Sequence, residues 1–154
     1  MLDDTYVSFD AAKLLKSFGF DVPCIYAWKE EKNAKNYVYC TENEDGVVKC
    51  NSELVANYDE NGECYSAPTL QRALAWLRER DIDIEIRTVY KDGKRQYAPC
   101  FTTKNRLEND ENPFCLLKQK DEESEPQYCS TWEEAVNDAQ IYVLQHYKEL
   151  ASVL

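Results

Sequence analysis

The pattern of apolar and polar positions predicts three helices, one near each end of the chain and one in the middle. Each expected helix begins with a hydroxyl residue followed by a large apolar one, at Ser8, Thr69 and Thr131. Such a hydroxyl accepts a hydrogen bond from a free backbone N–H of the first helical turn. Thr131 and Glu134 also have the spacing of a capping box. Gly19 is placed to end the first helix in the left-handed conformation.

Between the helices, alternating apolar and polar residues predict strands joined by tight turns. Three Asx–Gly dipeptides, at 45–46, 61–62 and 92–93, are typical of two-residue hairpin turns. The last turn fixes a register, and the pairs expected from it are Ile84 with Phe101, Ile86 with Pro99, and Thr88 with Tyr97. Pro99 predicts an edge strand or a local break in the ladder, because proline has no N–H to donate. Residues 114–118 predict a further short strand.

These elements together predict an α+β fold, with an antiparallel sheet built from hairpins and covered by three helices. The two halves also suggest a loosely duplicated helix–hairpin unit. Residues 14–16 followed by 22–28 are similar to residues 76–78 followed by 82–90. A chain of 154 residues has the usual length of one domain, and no linker interrupts it. We therefore expect residues 1–154 to form a single domain.

The composition limits the classes of partner. The chain has 18 Lys and Arg against 29 Asp and Glu, a net charge of −11. This charge argues against broad binding to nucleic acid or to anionic membranes. No apolar run approaches the ~18 residues of a membrane span, and the acidic N-terminus does not resemble a signal peptide. The seven cysteines include no C-x-x-C pair and are interpreted as free core thiols. We therefore expect a cytoplasmic protein.

The sequence lacks the common motifs of catalysis and of cofactor binding. All four glycines are assigned to predicted turns or to a helix end, and neither phosphate-binding glycine motif occurs. His146 is the one histidine, and it borders the apolar side of the last helix, which favours a packing role. We therefore predict no catalytic residue, no metal site and no cofactor, and a protein that is not an enzyme. A small cysteine-dependent hydrolase stays open as an alternative, because Cys–His pairs are formed in space.

Positive charge is concentrated in one region of this acidic chain. Residues 69–107 contain nine Lys or Arg and five Asp or Glu, a net charge of +4, which leaves −15 for the remainder. Arginine can hold a phosphate with two hydrogen bonds, and an aromatic ring can stack on a base. The predicted ligand-binding residues lie on the hairpin of this region: Arg87, Tyr90, Lys91, Lys94, Arg95 and Tyr97.

Several runs of residues also carry a resemblance. They are residues 8–16 with 19–24, residues 65–70 with 75–79, and residues 130–135 before the last helix. Together they resemble small proteins of gut Bacteroidota and of their phages and prophages, a group with no established function. The shared positions are helix caps and core residues, so no functional residue is carried over. The resemblance implies an accessory factor that binds host components.

The sequence therefore favours a non-enzymatic phage or mobile-element accessory protein that acts by binding. In the leading version it inhibits a host protein, as an anti-defence or host-takeover factor, by docking its acidic surface on a basic one. In the alternative version it sequesters a phosphorylated small molecule, such as a signalling nucleotide, at the Arg/Tyr hairpin. The sequence leaves open whether the chain forms a homo-oligomer.

Overall fold

The computed structural model describes residues 6–22, 24, 26–31, 34–39, 64–117 and 126–147. These residues form four helices and six strands in two antiparallel sheets, which confirms the α+β class. The chain divides into two compact units, Met1–Thr69 and Leu70–Leu154, called unit 1 and unit 2 below. The predicted turns at 45–46 and 61–62 lie outside the described residues. The expectation of a single domain stays a prediction.

Unit 1 consists of one helix and a three-stranded sheet. Ser8 begins the helix as predicted, because its hydroxyl accepts a hydrogen bond from the Ala11 N–H at 3.3 Å. Both hairpin strands and the third strand run antiparallel, in the spatial order β2-β1-β3. The elements are α1 (Phe9–Ser17), β1 (Tyr26–Glu31), β2 (Ala34–Tyr39) and β3 (Cys64–Ser66).

Helix α1 ends where the sequence predicts, at Gly19. This residue has a φ of +88°, a conformation that glycine adopts without steric cost. The Gly19 N–H donates to the Lys16 carbonyl at 3.0 Å, and the Phe20 N–H donates to the Leu15 carbonyl at 2.9 Å. This pattern is the Schellman motif, in which the residue after the glycine packs back on the helix. Phe20 and Leu15 are accordingly both buried in the core of unit 1.

Unit 2 contains three helices and the second sheet, in the spatial order β4-β5-β6. The short helix α3 was not predicted from the sequence. Thr103 caps it, accepting a hydrogen bond from the Arg106 N–H at 3.5 Å. The elements of unit 2 are α2 (Leu70–Arg78), β4 (Ile82–Lys91), β5 (Lys94–Thr103), α3 (Lys104–Asn109), β6 (Cys115–Leu116) and α4 (Trp132–Gln145).

The register of the β4–β5 hairpin confirms the prediction made from its turn. Asp92 and Gly93 both have positive φ, +53° and +76°, as a type I′ turn requires. The three predicted pairs are all present: Ile84 with Phe101, Ile86 with Pro99, and Thr88 with Tyr97. The face of each hairpin side chain follows from this register, because side chains alternate along a strand.

Strand β5 is the central strand of its sheet, so Pro99 does not mark an edge strand. The outer side of β5 is paired by two separate pieces of chain. The Leu117 N–H donates to the Pro99 carbonyl at 3.1 Å, whereas Tyr97 exchanges two hydrogen bonds of 2.9 Å with Cys129. Proline lies where the first piece gives way to the second. Because proline has no N–H to donate, the hydrogen-bond ladder on this side of β5 is interrupted there, which is the local break that the sequence also predicts.

Helix α4 packs on the face of the sheet that carries Phe101, whose ring centroid lies 5.8 Å from that of Tyr142. Thr131 caps this helix as predicted, accepting a hydrogen bond from the Glu134 N–H at 3.1 Å. Its inward side is buried and mostly apolar, at Ala135, Val136, Ala139, Val143 and Leu144, and it also contains the polar side chain of Gln140. Among the described residues, none of the helices has the length and apolarity that a membrane crossing requires.

Candidate functional site

The six predicted ligand-binding residues lie on the β4–β5 hairpin, where the register divides them between its two faces. Directly opposed side chains share a face, and the opposed pairs include Tyr90 with Arg95 and Lys91 with Lys94. Alternation along the strands places Tyr97 with the first pair and Arg87 with the second. The structure therefore brings the residues together as two groups of three.

The first group is a small tyrosine–arginine cluster near the turn. The Arg95 guanidinium donates to the Tyr90 hydroxyl through Nε at 3.4 Å and through Nη2 at 3.2 Å. Hydrogen bonds to the hydroxyls of Tyr90 and Tyr97 raise the pKa of Arg95 above its ordinary value. Its donors are therefore partly engaged within the hairpin. This leaves Arg95 less suited to holding an external anion.

The second group combines three cations with two aromatic rings, and we call it the cationic face. The Arg87 guanidinium carbon lies 5.7 Å from the centre of the Phe114 ring. The Lys91 ammonium lies 4.7 Å from the centre of the Tyr128 ring. Lys94 is opposed to Lys91 across the turn. Cations at these distances are attracted by the negative face of an aromatic ring.

The cationic face has an acidic neighbour on its own strand. Glu85 lies 3.8 Å from Arg87, and both of these side chains are about half exposed. Lys91 and Lys94 are exposed and opposed to each other, an arrangement in which like charges repel. Arg87 and Lys91 lie four residues apart along the strand, a span of about 13 Å. The face is therefore suited to an elongated ligand with more than one negative group.

A second group of side chains joins the segment beside β5 to helix α4, and we call it the thiol–carboxylate cluster. It consists of Gln127, Cys129, Glu134 and Asp138. The Cys129 thiol donates to the Asp138 Oδ2 atom at 3.5 Å, and the Gln127 amide donates to the same oxygen. One oxygen of the Glu134 side chain lies within 4.8 Å of the other two acidic groups.

Burial and mutual repulsion perturb the acidic groups of this cluster. Burial, together with the neighbouring Asp138 carboxylate, raises the pKa of Cys129 to about 12. Burial also raises the pKa of Asp138, and Glu134 adds to the increase, although hydrogen bonds from Cys129 and Gln127 oppose it. The thiol is therefore held in its protonated form over the physiological range.

The state of the thiols bears on the hydrolase alternative. A nucleophilic cysteine needs a lowered pKa, whereas burial raises the pKa values of both Cys100 and Cys129. His146 lies at the C-terminal end of α4, with its ring 4.4 Å from that of Tyr142. These observations disfavour Cys100 and Cys129 as nucleophiles and fit the packing role predicted for His146. Cys24, Cys100 and Cys129 are buried, as the core-thiol interpretation expects.

Sequence reasoning missed the aromatic members of the cationic face and the whole thiol–carboxylate cluster. Phe114 and Tyr128 come from segments far along the chain from Arg87 and Lys91, and only the pairing with β5 brings them close. The signal for the cluster was weak. Glu134 and Asp138 are four residues apart on a helix and therefore share a face.

Comparison with known proteins gives no relative from which a function could be transferred. No family model, no curated protein and no solved structure matches this chain.

Proposed function

We propose that the protein functions by binding, and that its ligand is a phosphate-bearing small molecule held on the cationic face of unit 2. The observation that carries this proposal is the placement of Arg87, Lys91 and Lys94 on one face of the β4–β5 hairpin. Two of these cations oppose each other across the strands, where like charges repel. An anion bound between them is attracted by both.

The aromatic rings extend the proposal from phosphate to nucleotide. Lys91 and Arg87 lie over the rings of Tyr128 and Phe114, so a base stacks on that face of either ring only when bound phosphates draw the cation away from it. Stacking of a base on such a ring contributes about 1–3 kcal/mol and tolerates every base. The span of the face, about 13 Å, favours a nucleotide with several phosphates over a single phosphate ion. The resemblance implies that the ligand is a host component, and the interpretation of the cysteines as free thiols favours the cytoplasm as the place of binding; both belong to this proposal.

The test is calorimetric titration of the full chain with a fixed panel of probes: pyrophosphate and nucleoside mono-, di- and triphosphates. We expect the triphosphates to bind most tightly. Replacing Arg87, Lys91 and Lys94 together by Gln should weaken their binding by at least about tenfold, since charged hydrogen bonds are lost. A matched control replaces the exposed residues Lys13, Arg72 and Lys104 by Gln, which removes the same charge outside the hairpin.

Two results would overturn the proposal. One is the absence of binding by every probe, and the other is an equal loss of affinity in the control. The second result would mean that net charge, and not the cationic face, attracts the probes. Circular dichroism of both triple variants confirms that each has folded.

A second candidate function has its own support in the charge distribution. Outside residues 69–107 the chain carries a net charge of −15, which suits docking on a basic surface of a host protein. In this version the protein inhibits its partner by covering that surface. Binding of such a partner should weaken steeply with salt. It should also survive the substitutions of Arg87, Lys91 and Lys94, which separates the two candidates.

A further inference from the structure

The thiol–carboxylate cluster gathers three side chains that are able to bind a metal. The ligand atoms of Cys129, Glu134 and Asp138 all lie within 4.8 Å of one another. They come from two segments, because Cys129 lies in the segment beside β5 and the two carboxylates lie one turn apart on α4. We propose that these three residues bind a divalent metal ion of the zinc type. The proposal does not depend on the ligand proposed for the cationic face.

The spacing of the ligand atoms fits tetrahedral coordination. Zinc bonds of about 2.3 Å to sulfur and about 2.1 Å to oxygen place neighbouring ligand atoms roughly 3.6 Å apart. The Cys129 Sγ and Asp138 Oδ2 atoms are 3.5 Å apart. These two ligands therefore need almost no movement. The Glu134 side chain is exposed, so it can rotate to complete the set without disturbing the core.

The fold holds the two less mobile ligands firmly. Both backbone polar groups of Cys129 are bonded to Tyr97 at 2.9 Å, which fixes the cysteine to the central strand of the sheet. Asp138 lies in the middle of α4. The Gln127 amide donates a hydrogen bond to the Asp138 carboxylate. Ligating carboxylates commonly have an outer partner of this kind, which orients them. Gln127 is therefore a positioning residue of the proposed site.

The donor atoms indicate which metals would bind. Oxygen ligands alone suit magnesium and calcium, whereas a thiolate favours zinc and other softer ions. On binding, the S–H bond of Cys129 breaks, a sulfur–metal bond forms, and the proton passes to solvent. The remaining coordination position is open to water. With three protein ligands, the site resembles catalytic zinc sites in ligand number more than closed structural ones.

The experiment is titration of the full chain with Co²⁺, followed by displacement with Zn²⁺. A cobalt–thiolate bond produces a charge-transfer absorption in the near ultraviolet, so the readout reports on sulfur ligation directly. We expect a saturable band in the unmodified protein and its loss in Cys129→Ser. Glu134→Gln and Asp138→Asn should each weaken Co²⁺ binding by at least about tenfold.

Two controls match these variants. Glu133→Gln removes an acidic residue from the same first turn of α4, so it has the same effect on the helix dipole as Glu134→Gln. Cys115→Ser removes a thiol outside the cluster. Both controls should bind Co²⁺ like the unmodified protein.

The proposal is wrong if the unmodified protein gives no saturable band, or if the band persists in Cys129→Ser because other cysteines bind the metal. It is equally wrong if Glu134→Gln and Glu133→Gln have the same affinity. If Cys129→Ser fails to fold, the comparison of Glu134→Gln with Glu133→Gln still tests the proposal, since both glutamates lie in the first turn of α4.

Discussion

The two units share an order of elements and differ in how their sheets are assembled. Among the described residues, each unit has a nine-residue helix, α1 or α2, followed by an antiparallel hairpin and a third strand, and in unit 2 the short helix α3 comes before that strand. In unit 1 the third strand pairs with the first strand of the hairpin, whereas in unit 2 it pairs with the second. The duplication predicted from the sequence therefore holds for the order of elements and not for the order of strands.

The comparison separates what is decided locally from what is decided at long range. Both helices are followed by a residue with positive φ, Gly19 at +88° after α1 and Asp81 at +62° after α2. The same change of direction is thus made by two different residue types, because aspartate tolerates this conformation better than most. No local signal of this kind determines where the third strand pairs, because the strand pairs with residues that are distant in the sequence.

The largest expected effect compares the cores of the two units. Leu15 on α1 and Leu77 on α2 are 0% and 1% exposed. Replacing either leucine by Ala should lower the free energy of unfolding by about 2–5 kcal/mol, through lost burial and the cavity that remains. Urea denaturation followed by circular dichroism measures both losses. A loss below about 1 kcal/mol for one variant alone would show that the two helices do not contribute equally.

A smaller effect belongs to unit 2 and depends on pH. The pKa of Cys129 is raised from 9.0 to about 12, so above pH 9 the unfolded chain loses a proton that the folded chain retains. The free energy of unfolding should therefore fall as pH rises, by up to about 1.4 kcal/mol per pH unit until the folded thiol ionises. Cys129→Ser should make this dependence less steep between pH 9 and 11, and part of it remains because burial also raises the pKa of Cys100. Equal slopes in the two proteins would contradict the assignment.

The smallest expected change in stability comes from exchanging the residue types found after the two helices, Gly19 and Asp81. Gly19→Asp should cost about 1 kcal/mol, because a side chain is introduced at positive φ, although no atom lies within 4 Å of the new Cβ. Asp81→Gly should change the stability by less than about 0.5 kcal/mol, since relief of strain offsets the greater freedom of the unfolded chain. Thermal denaturation resolves the difference. A loss above about 1 kcal/mol in Asp81→Gly would mean that the aspartate side chain itself stabilises the turn.

The elements that the sequence predicts well are those with a short-range cause. The Asp92–Gly93 turn determines its own backbone conformation, and the ten cross-strand pairs of the hairpin follow from it. Ser8 and Thr131 mark helix starts because their hydroxyls bond within the first turn. Helix α3 was missed because its six residues are mostly polar and include none that is buried, so no apolar periodicity marks it.

Of the candidate sites, only the residues on the β4–β5 hairpin were predicted from the sequence. The six basic and aromatic residues were found, and the register predicted from the turn already divides them between two faces, whereas the packing of α4 on one of those faces could not be predicted. The pairing of Cys129 with Tyr97 brings Tyr128 close to Lys91 and Cys129 close to Asp138. That contact spans 32 residues of chain, with acidic residues between, and no local pattern predicts it.

Strand β4 has a further consequence for behaviour at high protein concentration. Among the described residues it forms the outer strand of its sheet, and it carries two negative side chains, Asp83 and Glu85, followed by two positive ones, Arg87 and Lys91. Charged side chains on an outer strand oppose the stacking of one molecule on the next into fibrous aggregates. The arginine and lysine that we assign to ligand binding therefore have a second role on this strand, which is to oppose aggregation.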